Sequence, residues 1–132
     1  DEKLLGIRIP KLIIQPLVEN SIKYGTKNYK NKNSWQIRLS GEINEDKWQI
    51  VVEDDGAGFT KSVMKDFWDK VEEFDKIEGT PDLKLEGMGL LNIYIRLKLT
   101  YGSNMIFKIN DKINGGAVVT IGGLTTCSKF NI

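Results

Sequence analysis

Three polar residues of different chemistry lie close together in the stretch Gln15–Gly25. Glu19, Asn20 and Lys23 occupy positions i, i+1 and i+4, so on a helix they lean toward one side while apolar residues cover the rest. An acid, an amide and an amine that converge beside an apolar face are typical of a polar binding site. On this helix alone, a surface ion pair between Glu19 and Lys23 is the simpler interpretation, and two glycine motifs later in the chain reverse it.

The two glycine motifs indicate close approach by a ligand and binding of phosphate. The segment Asp54–Phe59 places acids before Gly56 and Gly58, where the backbone must turn sharply or admit another group; a plain turn is the alternative. The segment Gly87–Leu90 leads into a helix, whose first free N–H groups stabilise phosphate oxygens. Because the GxxxxGK[ST] motif and the third Rossmann glycine are missing, this phosphate site is neither a P-loop nor a Rossmann site.

The elements that position the first motifs follow from sequence periodicity. A helix is predicted over Gln15–Gly25, with Pro16 in its first turn and a glycine at its end. Alternating apolar and polar residues then predict a hairpin. Its strands lie around Trp35–Ser40 and Trp48–Glu53, and Gly41–Lys47 is the predicted connection.

Two further helices and two strands are predicted in the second half. Thr60 caps a helix whose apolar residues recur every 3.6 positions, namely Val63, Met64, Phe67, Trp68, Val71 and Phe74. The next helix opens at Gly87 and stops at Gly102. The chain closes with strands at Met105–Asn110 and Ala117–Ile121.

Two segments carry weaker signals. Residues Asp1–Ile9 contain a short apolar segment typical of a strand, Leu4–Ile7, without a preceding turn. This pattern indicates that the chain is a piece of a longer protein and that its N-terminal strand is truncated. The segment Asp75–Glu86 mixes charges with one glycine and one proline. It is predicted to be a mobile cover over the phosphate site, and an inert surface loop is the alternative.

Composition limits the function classes. The 132 residues suffice for a single domain, and 40% apolar with 28% charged residues is ordinary for a globular protein. A formal net charge of +1 gives no reason to expect nucleic acid or anionic lipid as a partner. The single cysteine, Cys127, suits a reducing compartment, and there is no histidine.

The three motifs resemble, in chain order, the N, G1 and G2 boxes of the GHKL ATPase superfamily. They are Gln15–Gly25, Asp54–Gly58 and Gly87–Leu90. The wording QPLVENSIKYG, together with GMGLLNIYIRLKLTYG, is most similar to sensor histidine kinases of the LytS/YesM type. The resemblance extends over Ile9–Ile121. It implies one catalytic ATP-binding domain with the Bergerat fold, an α+β two-layer sandwich with a mixed, mostly antiparallel sheet and helices on one face.

The resemblance also implies a role for each motif residue. Asn20 would hold Mg²⁺ through its amide oxygen, Glu19 would act as a base or orient a water, and Lys23 would offer a point charge to the phosphates. Asp54 would accept a hydrogen bond from the adenine amino group. Close approach of ATP would be allowed by Gly56 and Gly58 at the base and by Gly87, Gly89, Leu90 and Asn92 at the phosphates.

Two positions depart from the family pattern. Tyr24 stands where a histidine often follows the lysine of the first box, and Ala117, after Gly116, stands where a threonine is usual. The second change removes a hydroxyl near the adenine. One lost hydrogen bond costs about 0.5–1.5 kcal/mol, which predicts weakened rather than abolished binding of ATP.

The implied function is transfer of the γ-phosphoryl of ATP to a histidine on a separate dimerisation helix, for relay to an aspartate of a response regulator. The parent protein would be a membrane-anchored homodimer with this domain in the cytoplasm. Two alternatives stay open. One is a non-catalytic ATP-binding regulatory module; the other is a GHKL ATPase or serine kinase, against which the QPLVEN wording argues.

Overall fold

A computed structural model describes residues 1–25, 35–77 and 89–126. Their elements, in chain order, are a 3-10 helix (Glu2–Gly6), α1 (Ile14–Gly25), β1 (Ile37–Asn44), β2 (Lys47–Asp54), α2 (Lys61–Asp75), α3 (Gly89–Tyr101), a 3-10 turn (Gly102–Asn104), β3 (Ile106–Asp111) and β4 (Ala117–Leu124). Gly87, and most of the segment predicted as a cover, lie outside the described residues.

The strands in the described ranges form one sheet in the order β1-β2-β4-β3, and each pairing is antiparallel. In the central pair, Ile50 lies opposite Ile121. This sheet and the helices that cover it confirm the predicted α+β sandwich.

One face of the sheet carries the core, because side chains alternate along each strand. Trp48, Val52 and Ile121 are almost completely buried on that face. Helices α1 and α3 cover it with fully buried apolar residues, namely Leu17, Ile93 and Leu97. Burial of one such side chain contributes about 1.5–3 kcal/mol, so this layer fixes α1 and α3 against β2 and β4.

Helix α2 packs beside α3, over the edge strand β3. Phe67 of α2 stacks on Phe107 of β3 with ring centroids 5.7 Å apart, and Tyr94 of α3 meets the same ring edge-on at 5.3 Å. Phe67, Val71 and Tyr94 belong to one buried cluster. This second cluster leaves a space between α2 and α1.

The predicted helix limits are confirmed where a specific capping feature is present. Thr60 Oγ1 accepts a hydrogen bond from the Val63 N–H at 3.2 Å and starts α2. Gly102 follows α3 with φ of 57°, a conformation that glycine adopts readily. Helix α1 begins at Ile14, so Pro16 lies in the first turn, where an N–H has no intrahelical partner.

Two local predictions were wrong. Of the strand expected at Leu4–Ile7, Leu4–Gly6 belongs to a 3-10 helix and only Ile7 is extended. The Asp1 carboxylate caps this helix by accepting a hydrogen bond from the Lys3 N–H at 3.0 Å. The connection expected at Gly41–Lys47 is mostly strand: Ile43 lies opposite Trp48, and the turn shrinks to Glu45–Asp46.

The buried hydrogen bond between β2 and α3 provides a test of the core. Trp48 Nε1 donates to Tyr101 Oη at 3.2 Å, so Tyr101→Phe leaves a buried N–H without its acceptor. We expect the free energy of unfolding to fall by about 1–3 kcal/mol, measured by urea denaturation. Tyr94→Phe is the matched control: its partner Asp75 is 40% exposed and can bind water instead, so a smaller loss is expected. Equal losses would contradict this account.

Candidate nucleotide-binding site

A cavity of about 520 Å³ opens between α1, α2 and the start of α3. Predicted site residues from two elements that are distant in sequence line this cavity. Those on its wall are Glu19, Asn20 and Lys23 of α1 and Gly89, Leu90 and Asn92 of α3. The fold thus brings the first and third motifs together.

A second cavity of only about 10 Å³ shares three wall residues with the large one, Asn20, Tyr24 and Phe59. Asp54 and Gly58 line this small cavity, together with Ser21, Gly25 and Ala117. The second motif therefore adjoins the first at the small cavity, and the two cavities meet at the Tyr24 and Phe59 rings, whose centroids are 6.2 Å apart.

The two neighbouring acids at the end of β2 have different environments. Asp54 continues the buried face of the strand and is 4% exposed, and its Oδ1 accepts a hydrogen bond from the Gly56 N–H at 2.9 Å. Asp55 points the other way, as alternation requires, and its Oδ1 accepts from the Gln36 N–H at 2.7 Å. Asp54 is therefore the acid that reaches the site.

Two glycines allow backbones to meet around Asp54. A Cβ on Gly56 would lie 2.3 Å from the Gly25 carbonyl oxygen at the end of α1, and the neighbouring Ala57 N–H donates to that oxygen at 3.2 Å. Gly116 has φ of 100°, and a Cβ there would lie 2.0 Å from the Asp54 carbonyl oxygen. Gly56 lines neither cavity, so its observed role is close packing of α1; base approach at Gly56 stays a prediction.

Glu19 and Lys23 do not form the surface ion pair that was the alternative interpretation. Glu19 Oε1 accepts a hydrogen bond from Gln15 Nε2 at 2.7 Å. Lys23 Nζ lies 5.2 Å from the centroid of the Tyr24 ring, within range of a cation–π contact. Both side chains are exposed on the cavity wall and can meet a ligand there.

Asn20 connects α1 with the first residue of α3. A Cβ on Gly89 would lie 3.2 Å from Asn20 Nδ2 and 3.4 Å from Oδ1. Nδ2 is buried and has no hydrogen-bond partner among residues 1–25, 35–77 and 89–126, which is costly for a polar atom. The amide N–H₂ is thus available to donate to a bound group at the point where α3 begins.

The same amide fits a magnesium ion that is bound mainly by phosphate and water. Mg²⁺ prefers hard oxygen ligands and keeps several waters, so one amide oxygen is a sufficient protein ligand when substrate phosphates supply others. The described ranges contain no cluster of three or more histidine, cysteine or acidic residues that would hold a metal by themselves. The Asn20 amide oxygen beside the start of α3 fits a metal that arrives with a phosphate ligand.

The sequence analysis missed two charged wall residues of α2, Asp66 and Lys70. They lie on the same side of α2 as Val63 and Phe67, at the spacing of one helix face. A polar pair that interrupts an otherwise apolar helix face was the available signal, and α2 was interpreted only as a core helix.

The end of α2 is held against α3 by a small polar cluster. Tyr94 Oη donates to Asp75 Oδ2 at 3.3 Å, and Lys98 Nζ lies 3.8 Å from Asp75 Oδ1. Burial raises the pKa of Tyr94, and the Asp75 carboxylate raises it further, so the phenol keeps its proton as the donor. This cluster fixes the last described turn before residues 78–88.

The family of this chain is shown by comparison with known proteins. The family model described as "Histidine kinase-, DNA gyrase B-, and HSP90-like ATPase" matches residues 7–125. The chain belongs to this family. It is an ATPase-type nucleotide-binding domain, in agreement with the resemblance drawn from the three motifs.

The curated relatives are bacterial proteins named as sensor proteins or sensor histidine kinases. The chain is 30% identical over 130 residues to the sensor protein LytS of Oceanobacillus iheyensis, with 98% of this chain and 21% of that protein covered. It is 33% identical to the sensor histidine kinase YpdA of Escherichia coli, with 74% of this chain and 15% of that protein covered. It is 28% identical to the sensor histidine kinase YesM of Bacillus subtilis, with coverages of 92% and 18%. The chain spans about a fifth of the length of these relatives.

Solved structures support the fold. The catalytic domain of the histidine kinase ThkA, in a nucleotide-free form, has a TM-score of 0.54 at 19% identity, covering 88% of this chain and 66% of that one. A second nucleotide-free form gives a TM-score of 0.56.

Within the described residues no helix has the length and apolar character needed to cross a membrane.

The contact between Gly25 and Gly56 generates a stability prediction. In Gly56→Ala the new methyl group meets backbone atoms of Gly25 at 2.3–2.6 Å, so α1 must move. We expect a loss of about 1–3 kcal/mol in the free energy of unfolding. Gly6→Ala is the control, because nothing lies within 4 Å of its added Cβ, and its effect should stay within about 0.5 kcal/mol. Unfolding curves that coincide for the two variants would refute the packing role.

Proposed function

We propose that this chain is the ATP-binding catalytic domain of a sensor histidine kinase, which transfers the γ-phosphoryl of ATP to a histidine on a separate dimerisation helix. The observation that carries the proposal is the meeting of three motifs around two joined cavities. One cavity ends at the buried carboxylate of Asp54, and the other contains the contact between Asn20 and Gly89. The first offers an acceptor for a base, and the second offers an amide and a helix N-terminus for phosphates.

Adenine would bind beside Asp54, whose carboxylate accepts a hydrogen bond from the exocyclic amino group. The second carboxylate oxygen serves this contact, since Oδ1 already accepts from Gly56. The small cavity holds about 10 Å³, so the Tyr24 and Phe59 side chains must separate to admit the ring. Ala117 lines this cavity without a hydroxyl, which limits the affinity for the base.

The triphosphate would lie in the large cavity. Asn20 holds Mg²⁺ through its amide oxygen, and Lys23 binds the phosphates as a point charge. The backbone N–H groups of Gly89 and Leu90 face the phosphate oxygens at the start of α3, with Asn92 in its first turn. The phosphate role predicted for Gly87 falls outside the described residues. Bound Mg²⁺ supplies charge neutralisation on the transferred phosphoryl group.

Catalysis by this domain consists mainly of positioning. Phosphoryl transfer has a loose transition state, and the protein holds the donor in line with the acceptor and compensates charge. Glu19, on the same cavity wall, orients the attacking group or accepts its proton. The acceptor imidazole comes from another domain, because the 132 residues contain no histidine.

The proposed partners follow from the separation of the ATP-binding domain from the acceptor histidine. The parent protein is a homodimer anchored in the cell membrane, with this domain in the cytoplasm, and it passes the phosphoryl group to a response regulator. The names of the relatives, "Sensor histidine kinase" and "Sensor protein", support this role.

The base contact is tested by Asp54→Asn. Asparagine keeps the oxygen that accepts from Gly56 but places an amide N–H₂ where the adenine amino group needs an acceptor. We expect ATP affinity to fall by about tenfold or more, since a hydrogen bond to a buried charged group is lost, as measured by calorimetric titration. Asp55→Asn is the matched control, because Asp55 bonds to Gln36 instead, and it should bind ATP within about twofold of the parent. Equal affinities for both variants would disprove base recognition by Asp54.

Transfer is tested with ATP labelled at the γ-phosphate. The purified chain should acquire no acid-labile, base-stable label, because it has no imidazole acceptor. Adding the dimerisation helix of the parent protein should place such label on that helix. Label on this chain alone would contradict a histidine kinase. Absence of label on the helix, with ATP bound, would favour the non-catalytic regulatory module.

A further inference from the structure

Helix α2 contributes a second lysine to the large cavity. Lys70 lies on its wall, as does Lys23 of α1, and two carboxylates, Glu19 and Asp66, share that wall. Among the described wall residues, the two lysines thus balance the two acids. A triphosphate entering the cavity meets repulsion from the carboxylates, which makes each ammonium important for its binding.

The ammonium of Lys70 is not engaged by its helix neighbour. Asp66 precedes Lys70 by four residues, the favourable orientation for an i,i+4 pair, yet within the described part of the chain these two side chains form no ion pair. Two other pairs at this spacing do form. Lys65 pairs with Asp69 on α2 at 2.5 Å, and Lys76, directly after α2, pairs with Glu72 at 2.7 Å. Lys70 differs from Lys65 and Lys76 in facing the cavity.

The order of wall residues places Lys70 far from the base. Phe59 lines both cavities, whereas Val63, Asp66 and Lys70 line only the large one. Helix α2 therefore leaves the base cavity as it proceeds. From Val63 to Lys70 the helix rises by about 10 Å, which carries Lys70 to the distal part of the cavity.

Helix α1 gives the same direction from the other wall. Its residues Tyr24 and Asn20 line both cavities, and Lys23 between them lines the large one. Glu19 and Pro16, which lie nearer the N-terminus, line only the large one. Along α1 the distance from the base cavity thus increases toward the N-terminus. The distal part of the large cavity lies beyond Asn20, where the last phosphate of a bound nucleoside triphosphate would be.

We infer that Lys70 binds the terminal phosphoryl group and makes the site distinguish ATP from ADP. This inference rests on the proposed function and deepens it. Lys70 acts as a mobile point charge with three donors, which suits a group that leaves the nucleotide during transfer. Lys23 is closer to the base cavity, beside Tyr24, and serves both nucleotides.

The test compares affinities for ATP and ADP, each with Mg²⁺, by calorimetric titration. For Lys70→Ala we expect the Kd for ATP to rise about tenfold and the Kd for ADP to change less than about twofold. Lys70→Arg keeps the charge and should restore ATP binding to within about threefold of the parent. Lys65→Ala is the matched control, since Lys65 lies on the same helix, pairs with Asp69 and is absent from the cavity wall; it should change neither constant.

The outcomes separate this inference from the proposed function. If the parent chain binds ATP and Lys70→Ala raises the Kd for ATP and ADP equally, or changes neither, Lys70 does not recognise the terminal phosphoryl group. The inference is then overturned while the proposed function stands. If the parent chain binds no adenine nucleotide, the proposed function fails and the inference fails with it.

Discussion

The close backbone contacts around Asp54 hold the candidate site together. Gly56 meets the end of α1 at Gly25, and Gly116, in the turn between β3 and β4, meets the carbonyl of Asp54 itself. No side chain fits at these contacts. They fix the end of the central strand β2 against a helix and a turn, and consequently the carboxylate of Asp54 stays buried at the inner end of a cavity that α1 also lines.

That constraint also explains how binding groups distant in sequence come to face one ligand. Helix α1 is fixed at its C-terminus by Gly25 and along its length by buried Leu17. Asn20, between these points, therefore meets Gly89 at the start of α3. The core holds these groups rigid before a ligand arrives, which lowers the entropy lost on binding. The exposed lysines on the wall keep the freedom to follow a phosphoryl group.

The sequence predicted the elements with strong local signals. Helix α2, with its cap at Thr60, and the family indicated by the three motifs were predicted correctly, because capping and glycine patterns are local. The predicted turn at Gly41–Lys47 failed because tertiary contacts overrode propensity: Gly41 lies against Leu4 and pairs with Ile50. Lys70 was missed for a related reason, since a charged residue on an amphipathic helix resembles a solvated one until the opposite wall is known.

The most direct test of the central claim is a crystal structure of the chain with a non-hydrolysable ATP analogue and Mg²⁺. We expect the adenine amino group within hydrogen-bond distance of the Asp54 carboxylate. We also expect the Asn20 amide oxygen at about 2.0–2.1 Å from the metal, with the phosphates against the start of α3. A nucleotide bound outside the two joined cavities, or an adenine turned away from Asp54, would contradict it.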